Sequence, residues 1–231
     1  MKFTHKVFHI EQQNDRDHLV NSINDYLSLY SDQLDTPTFK ILSNDEYLKF
    51  ASNNPDFIVD PSGYSLDGEQ GWRYGEIGIW ASNRTAWKKF LETDSDYLIL
   101  MEDDIVYSRK FIDILKDSIL QMPDDWDVLH LFAPEDQFYK YNHTNDFGAI
   151  DVCYPYQDWS CLCYIITRKG AERLLESSTR ISLPLDWHMF RQTHLFNIFT
   201  LKPESSTACS LFPIESTFQT KQKREALNGI L

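Results

Sequence analysis

The stretch Tyr97-Leu-Ile-Leu-Met-Glu-Asp-Asp-Ile105 decides the reading of this chain. Its first five residues form an unbroken apolar run of strand length, the pattern of a strand buried on both faces. The run stops abruptly at Glu102, Asp103 and Asp104, so a buried strand delivers three carboxylates to its carboxyl end. Adjacent acids repel one another, and in that position they are costly unless a divalent metal or a basic neighbour neutralises them. Hard oxygen ligands favour Mg²⁺ or Mn²⁺, and the alternate acids at 102 and 104 can share one ion. The plainer alternative is that Asp103 or Asp104 caps the next helix or lies in solvent.

Outward from this strand the chain alternates between strand and helix patterns. Upstream, Lys6–Ile10 reads as a strand and Asp15–Tyr30 as a helix, with Leu19, Ile23, Tyr26, Leu27 and Tyr30 at helical spacing. Thr38–Leu42 reads as a second strand, and Ser43-Asn-Asp-Glu46 has the capping-box form that opens a helix over Asp45–Ala51. Ser52–Gly71, rich in Asn, Asp, Pro and Gly, is expected to be a long loop bordering a site, and Tyr74–Glu92 the longest helix, with its apolar residues on roughly one face. Downstream, Phe111–Leu120 reads as a helix and Val128–Phe132 as a strand. Residues 133–150 read as a mobile polar loop and Leu162–Ile166 as a strand. Thr167 is the expected N-cap of a helix over Arg168–Glu176, in which Gly170 and Ala171 permit close packing on a sheet. Ile198–Leu201 follows as a last strand, and residues 219–231 form a polar tail. Repeated β-to-α steps predict an α/β fold with a mostly parallel central sheet flanked by helices, whose ligands collect beyond the carboxyl ends of the strands.

Composition narrows the partners. With 35 acidic and 22 basic residues the chain carries a formal charge of −13, which opposes nonspecific attraction to DNA, RNA or an anionic membrane. Arg73, Arg84, Lys88, Lys89 and the Lys221–Arg224 cluster are the obvious basic material for a polyanion. No apolar run reaches the ~18 residues of a membrane span, and Met1–Asp17 lacks the apolar region of a signal peptide, so a cytoplasmic location is expected. The four cysteines form no zinc-type pair and read as reduced core thiols.

The block Gly75-Glu-Ile-Gly-Ile-Trp-Ala-Ser-Asn-Arg-Thr-Ala-Trp-Lys-Lys89, followed by the strand ending in Glu102-Asp103-Asp104, resembles glycosyltransferase family 25. That group includes lipooligosaccharide and collagen galactosyltransferases. Val7-Phe-His-Ile10 with Asp15-Arg16 is similar to the family's opening strand and Asp-Arg element. Tyr164-Ile-Ile-Thr-Arg-Lys-Gly-Ala-Glu-Arg-Leu-Leu175 resembles its later helix, and Pro184-Leu-Asp186 its Pro-Val-Asp element. Two departures stand out: the family's Asn-Leu is replaced around His9–Ile10, and its Ser-His appears as Ser82–Asn83.

The resemblance implies one glycosyltransferase domain of GT-A type over residues 1–231. Its expected activity is transfer of a sugar from a nucleotide diphosphate sugar, UDP before GDP, to an acceptor hydroxyl with inversion, assisted by Mn²⁺ or Mg²⁺ at a DxD-like motif. Asp104 is then the expected metal ligand with Glu102, while Arg16, Glu76, Glu102 and Asp103 are expected to bind the donor. Asp186, set by Pro184 at a helix start whose amides favour the ionised form, is the expected general base. His188 and His194 are candidate late metal ligands, each weighed against a structural role. A glycan or protein hydroxyl fits the acceptor side, and the charge disfavours a modified nucleic acid. Two other readings stay open: a catalytically silent sugar- or nucleotide-binding module, suggested by Asn83, and a metal-dependent phosphoester hydrolase.

Overall fold

The computed structural model describes residues 1–10, 16–63, 72–108, 110–131, 152–153, 161–192, 194–201 and 208–210. In chain order the elements are β1 (Phe3–Phe8), α1 (Asp17–Leu27), β2 (Ser31–Gln33), α2 (Asn44–Asn53), β3 (Ile58–Val59), α3 (Tyr74–Leu91), β4 (Tyr97–Glu102), β5 (Ile105–Tyr107), α4 (Phe111–Ile119), β6 (Val128–His130), β7 (Val152–Cys153), β8 (Cys163–Thr167), α5 (Arg168–Ser177), β9 (Arg180–Ile181), α6 (Leu185–Arg191), β10 (Ile198–Leu201) and β11 (Ala208–Ser210). The central sheet runs β2-β1-β4-β8-β6-β10-β7. Strands β2, β1, β4, β6 and β10 share one direction, while β8, between β4 and β6, and β7, beside β10, oppose it. The expected α/β class with a mostly parallel sheet flanked by helices is therefore present.

Strand β4 shows why the sheet needs two helical layers. Leu98, Ile99, Leu100 and Met101 are all fully buried, and successive side chains point to opposite faces. Leu98 and Leu100 join Trp80, Trp87 and Phe90 of α3 and Leu174 of α5. Ile99 and Met101 join Ile23 and Leu27 of α1 and Phe111 and Leu115 of α4. Each such side chain withdrawn from water contributes ~1.5–3 kcal/mol. The acid run closes this doubly covered strand, with Glu102 as its last residue and Asp103 and Asp104 in the turn that follows.

Local signals set several helix boundaries. Glu46 N–H donates to Ser43 Oγ at 3.3 Å, the N-cap bond that opens α2, and the Glu46 carboxylate reaches one residue past the N-cap to accept from Leu42 N–H at 2.6 Å. Thr167 Oγ1 accepts from Gly170 N–H at 2.9 Å, capping α5 as expected. A Cβ added to Gly170 would lie 2.4 Å from the Asp127 carbonyl oxygen, so only glycine lets α5 approach the strand start this closely.

Three expectations are corrected. Thr38–Leu42 is not a strand; the second strand is the polar Ser31–Gln33, paired with β1 at the sheet edge. The Thr38–Leu42 segment is instead engaged by α3: Phe39 N–H donates to Ser82 Oγ at 2.8 Å, and a Cβ on Gly78 would come within 2.7 Å of the Phe39 carbonyl oxygen. Within the expected loop Ser52–Gly71, β3 pairs in parallel with β9. Arg84, named among the basic residues open to a polyanion, is buried, donating to Asp56 Oδ2 at 3.1 Å and to the Ser178 carbonyl at 2.7 Å. Residues 64–71, 133–150 and 219–231 lie outside the described residues.

Two buried histidines make the fold acid-sensitive. Burial holds both His5 and His188 down to a pKa of about 4, with repulsion from Arg84 adding to the effect at His188. An unfolded chain takes up these protons near the ordinary 6.5, so the contribution to stability is complete above that value and is lost as pH falls from about 6.5 to about 4. At ~1.4 kcal/mol per unit this amounts to up to about 3 kcal/mol for each ring. Urea unfolding across that window is expected to show the loss, with a smaller slope in His188→Gln.

Candidate active site

The carboxyl end of β4 gathers the acids with their counter-ions. Asp103 and Asp104 are buried, so neither lies in solvent, and α4 begins after Lys110 rather than at either of them. Arg16 Nη1 donates to Asp103 Oδ1 at 2.5 Å and stands 4.0 Å from Asp104 Oδ2. The other oxygen of Asp103 meets His9 Nδ1 at 2.8 Å, and His9 Nε2 meets Asp17 Oδ1 at 2.8 Å. A basic neighbour thus neutralises part of the run through charge-assisted bonds. Arg16, expected among the donor-binding residues, is buried against Asp103 and lines the first cleft.

The remaining two acids are less well compensated. Asp104 Oδ1 is buried with no hydrogen-bond partner among the described residues, and burial raises the Asp104 pKa against the opposing pull of Arg16. Glu102 is pushed up to about 8, first by burial and then by the charges of Asp104, Asp103 and Asp186, with Arg16 opposing. Among the described residues no three His, Cys, Asp or Glu side chains are grouped to hold a metal.

Two clefts meet here. The first, of about 520 Å³, runs from Phe8, Ile10 and Thr38 to Ser82 and Asn83 of α3, with Arg16, Asp103 and Asp104 between them. The second, of about 470 Å³, is lined by Glu76, Cys161, Pro184, Leu185 and Asp186. Ile79 and Glu102 line both. Glu76, expected among the donor-binding residues, is buried facing the second cleft with Asp186, and its Oε2 accepts from Arg73 N–H at 3.2 Å at the start of α3. Asp186 is half-buried in the first turn of α6, where its Oδ1 accepts from Trp187 N–H at 2.8 Å. His188 is a core residue held by Ser177 and Gln192, and His194 is exposed.

Asn83 is fixed from behind. Trp87 Nε1, which can only donate, gives its hydrogen to Tyr164 Oη at 3.0 Å, so Tyr164 gives its own to Asn83 Oδ1 at 2.6 Å. Asn83 Nδ2 then donates to the Ile79 carbonyl at 2.9 Å. The amide orientation is therefore unique, and Asn83 supplies a non-titrating polar group to the cleft wall. Tyr164→Phe strands both the Trp87 N–H and Asn83 Oδ1, and at ~1–3 kcal/mol for each unsatisfied buried group it is expected to cost about 2 kcal/mol or more in urea unfolding.

Sequence reasoning missed His9, Asp17 and Tyr164. Strand register would have found the first, because β1 pairs with β4 with Phe8 opposite Glu102, which sets His9 beside Asp103.

The family model for glycosyltransferase family 25, described as an LPS biosynthesis protein, matches residues 73–189, half of the chain. The chain belongs to glycosyltransferase family 25. The matched segment carries α3, the acid run of β4, β8, α5 and Asp186, so it supplies the residues of both clefts except those on β1, around Thr38 and at Arg16. Family membership with this sheet gives an α/β fold of GT-A type. Human procollagen galactosyltransferase 2 is 26% identical over 106 residues, covering 44% of this chain and 16% of the relative. The family 25 chain thus spans about a sixth of that protein's length. Among solved structures, a glucosyl-3-phosphoglycerate synthase from Mycobacterium tuberculosis, crystallised with Mn²⁺, UDP and glucosyl-3-phosphoglycerate, has a TM-score of 0.45 and 12% identity over 99% of this chain and 76% of its own. A Drosophila β-1,4-galactosyltransferase 7 in complex with manganese, UDP-Gal and xylobiose has a TM-score of 0.42 and 9% identity over 97% and 78%. No described helix is long and apolar enough to cross a membrane.

Proposed function

We propose that this family 25 chain transfers a sugar from a nucleotide diphosphate sugar, UDP-linked by family resemblance, to an acceptor hydroxyl with inversion and with the help of Mn²⁺ or Mg²⁺. The observation that carries this reading is the meeting of two clefts at Glu102 and Ile79, beyond the end of a parallel strand. The first cleft suits the donor: Phe8 and Ile10 offer an apolar wall, and Arg16 with the acid run offers charge. The second suits the acceptor, with Asp186 able to take the hydroxyl proton from the side opposite the departing diphosphate.

A divalent cation fits the donor set. Asp104 keeps a buried oxygen with no partner among the described residues, and Glu102 is a second hard ligand. Ions of the Mg²⁺ class are commonly held by one or two carboxylates, with phosphate oxygens and water completing the shell, so a group of three protein ligands is not required. When bound, the ion would offset the charge gained by the leaving diphosphate. Asp103, already bonded to Arg16 and His9, would instead keep the guanidinium in place, and Asn83 would orient donor groups by hydrogen bonding.

The acceptor cleft is acidic, with Glu76, Glu102 and Asp186 on its walls, which favours a neutral glycan or protein hydroxyl over an anionic acceptor. Of the basic residues open to a polyanion, Arg84 is buried and both it and Lys88 are paired with Asp56. The test is donor hydrolysis and transfer with a panel of UDP- and GDP-sugars in Mn²⁺ or Mg²⁺. Release of free sugar and nucleotide diphosphate supports the reading. Binding without turnover would favour a silent module, and release of inorganic phosphate a hydrolase.

A further inference from the structure

We propose that His9 and Asp17 form a positioning clamp: the imidazole, pinned between Asp17 and Asp103, holds the Asp103 carboxylate on Arg16 and so leaves Asp104 as the acid that faces the diphosphate. This rests on the transferase reading above. Both ring nitrogens of His9 lie 2.8 Å from a carboxylate oxygen, one on Asp103 and one on Asp17, which fixes the plane of the ring. Asp103 in turn has one oxygen on the ring and the other on Arg16. Each of its oxygens thereby has a partner, whereas Asp104 Oδ1 has none among the described residues, so Asp103 competes less well than Asp104 for a ligand in the cleft.

Remove the imidazole and this division fails. The freed oxygen of Asp103 would be buried beside Glu102 and Asp104, which share its charge, and the carboxylate would rotate to escape them. Arg16, only 4.0 Å from Asp104 Oδ2, would then settle on Asp104 and occupy the acid needed for the donor. The backbone has its own anchor, since His9 N–H donates to Thr38 Oγ1 at 3.2 Å, so a side-chain change at this position leaves the strand end in place. The Asp17 side chain is about half exposed (49%), so it stiffens the ring from outside without being part of the cleft.

The test measures UDP affinity in the presence of Mn²⁺ by calorimetry, with melting temperature as the check on folding. His9→Ala is expected to weaken binding by about tenfold or more, the scale seen when a group supporting a metal ligand is lost. His9→Asn places an amide nitrogen near the position of Nδ1, keeps the bond to Asp103 and is expected to stay within about threefold of wild type. Asp17→Ala should fall between the two. A second readout needs no donor or metal: the guanidinium NMR signals of Arg16 should keep their wild-type chemical shifts in His9→Asn and move in His9→Ala, where the guanidinium passes from Asp103 to Asp104. If His9→Ala does not fold, His9→Leu takes its place. Wild-type UDP affinity in the Ala or Leu variant, or a His9→Asn variant as weak as either, overturns the clamp. If wild-type protein itself fails to bind UDP with Mn²⁺, the transferase reading falls, and the Arg16 guanidinium shifts alone decide whether the clamp exists, unchanged shifts in His9→Ala overturning it.

Discussion

An Asp104→Ala chain is expected to lose Mn²⁺-assisted UDP binding and donor hydrolysis while melting no lower than wild type. The second half of that expectation follows from the local electrostatics. Asp104 has one buried oxygen without a partner among the described residues, two acidic neighbours in sequence, and a pKa raised by burial. A buried acceptor left unsatisfied costs ~1–3 kcal/mol, so truncation relieves the ligand-free protein of a strain it carries for function. The first half follows from what that oxygen is free to do. Without it the donor cleft keeps Glu102 and Asp103, but Asp103 is occupied by Arg16 and His9, and Glu102 alone is a poor site for a divalent ion. Removal of a group that stabilises developing charge typically lowers turnover by ~100- to 1000-fold. Isothermal titration with UDP and Mn²⁺, paired with a melting curve, checks both halves. Metal-dependent UDP binding that survives in Asp104→Ala would remove Asp104 from the donor site.

Asp186→Asn is expected to separate binding from chemistry. Asn at this position can still accept the Trp187 N–H that now goes to Asp186 Oδ1, so the first turn of α6 keeps its geometry. It cannot take a proton from an acceptor hydroxyl. Because Asp186 lines the second cleft and not the first, donor affinity should stay within about threefold, whereas sugar transfer should fall by ~100-fold or more, the scale of losing a general base. The substitution also takes one negative charge from the surroundings of Glu102, so the pKa of that acid, now about 8, should move down. Transfer at near wild-type rate, or loss of donor binding like that in Asp104→Ala, would show that Asp186 is not the base.

How far the chain could be read in advance depended on the range of the interaction involved. The run at Tyr97–Met101 is apolar because both faces of β4 are covered, and that pattern is local, so the buried strand, its layers of helices and the acids at its end were all visible in the residues themselves. The caps at Ser43 and Thr167 were legible for the same reason, since a hydroxyl three residues before its N–H partner is a short-range bond. The polar edge strand Ser31–Gln33 was not legible: its place comes from backbone pairing with β1, which leaves no hydrophobic signature. Thr38–Leu42 looked like a strand because a β-branched, apolar segment satisfies the same pattern whether its amides meet a sheet or, as here, a serine on α3.

The candidate site divides along the same line. Glu102, Asp103, Asp104 and Asp186 could be named from their chemistry and their place after a strand or before a helix. Which acid is paired and which is left open could not, because Arg16, His9 and Asp17 reach Asp103 across 86 to 94 positions of chain, directly or through the ring. Asn83 was visible as a departure, but its fixed amide depends on Trp87 and Tyr164, brought together by packing α3 on β8. Residue type and local pattern carry the chemistry that a side chain is able to do. The partner that uses up one carboxylate and leaves its neighbour open is a long-range contact, and only the folded chain, by bringing β1 alongside β4, decides it.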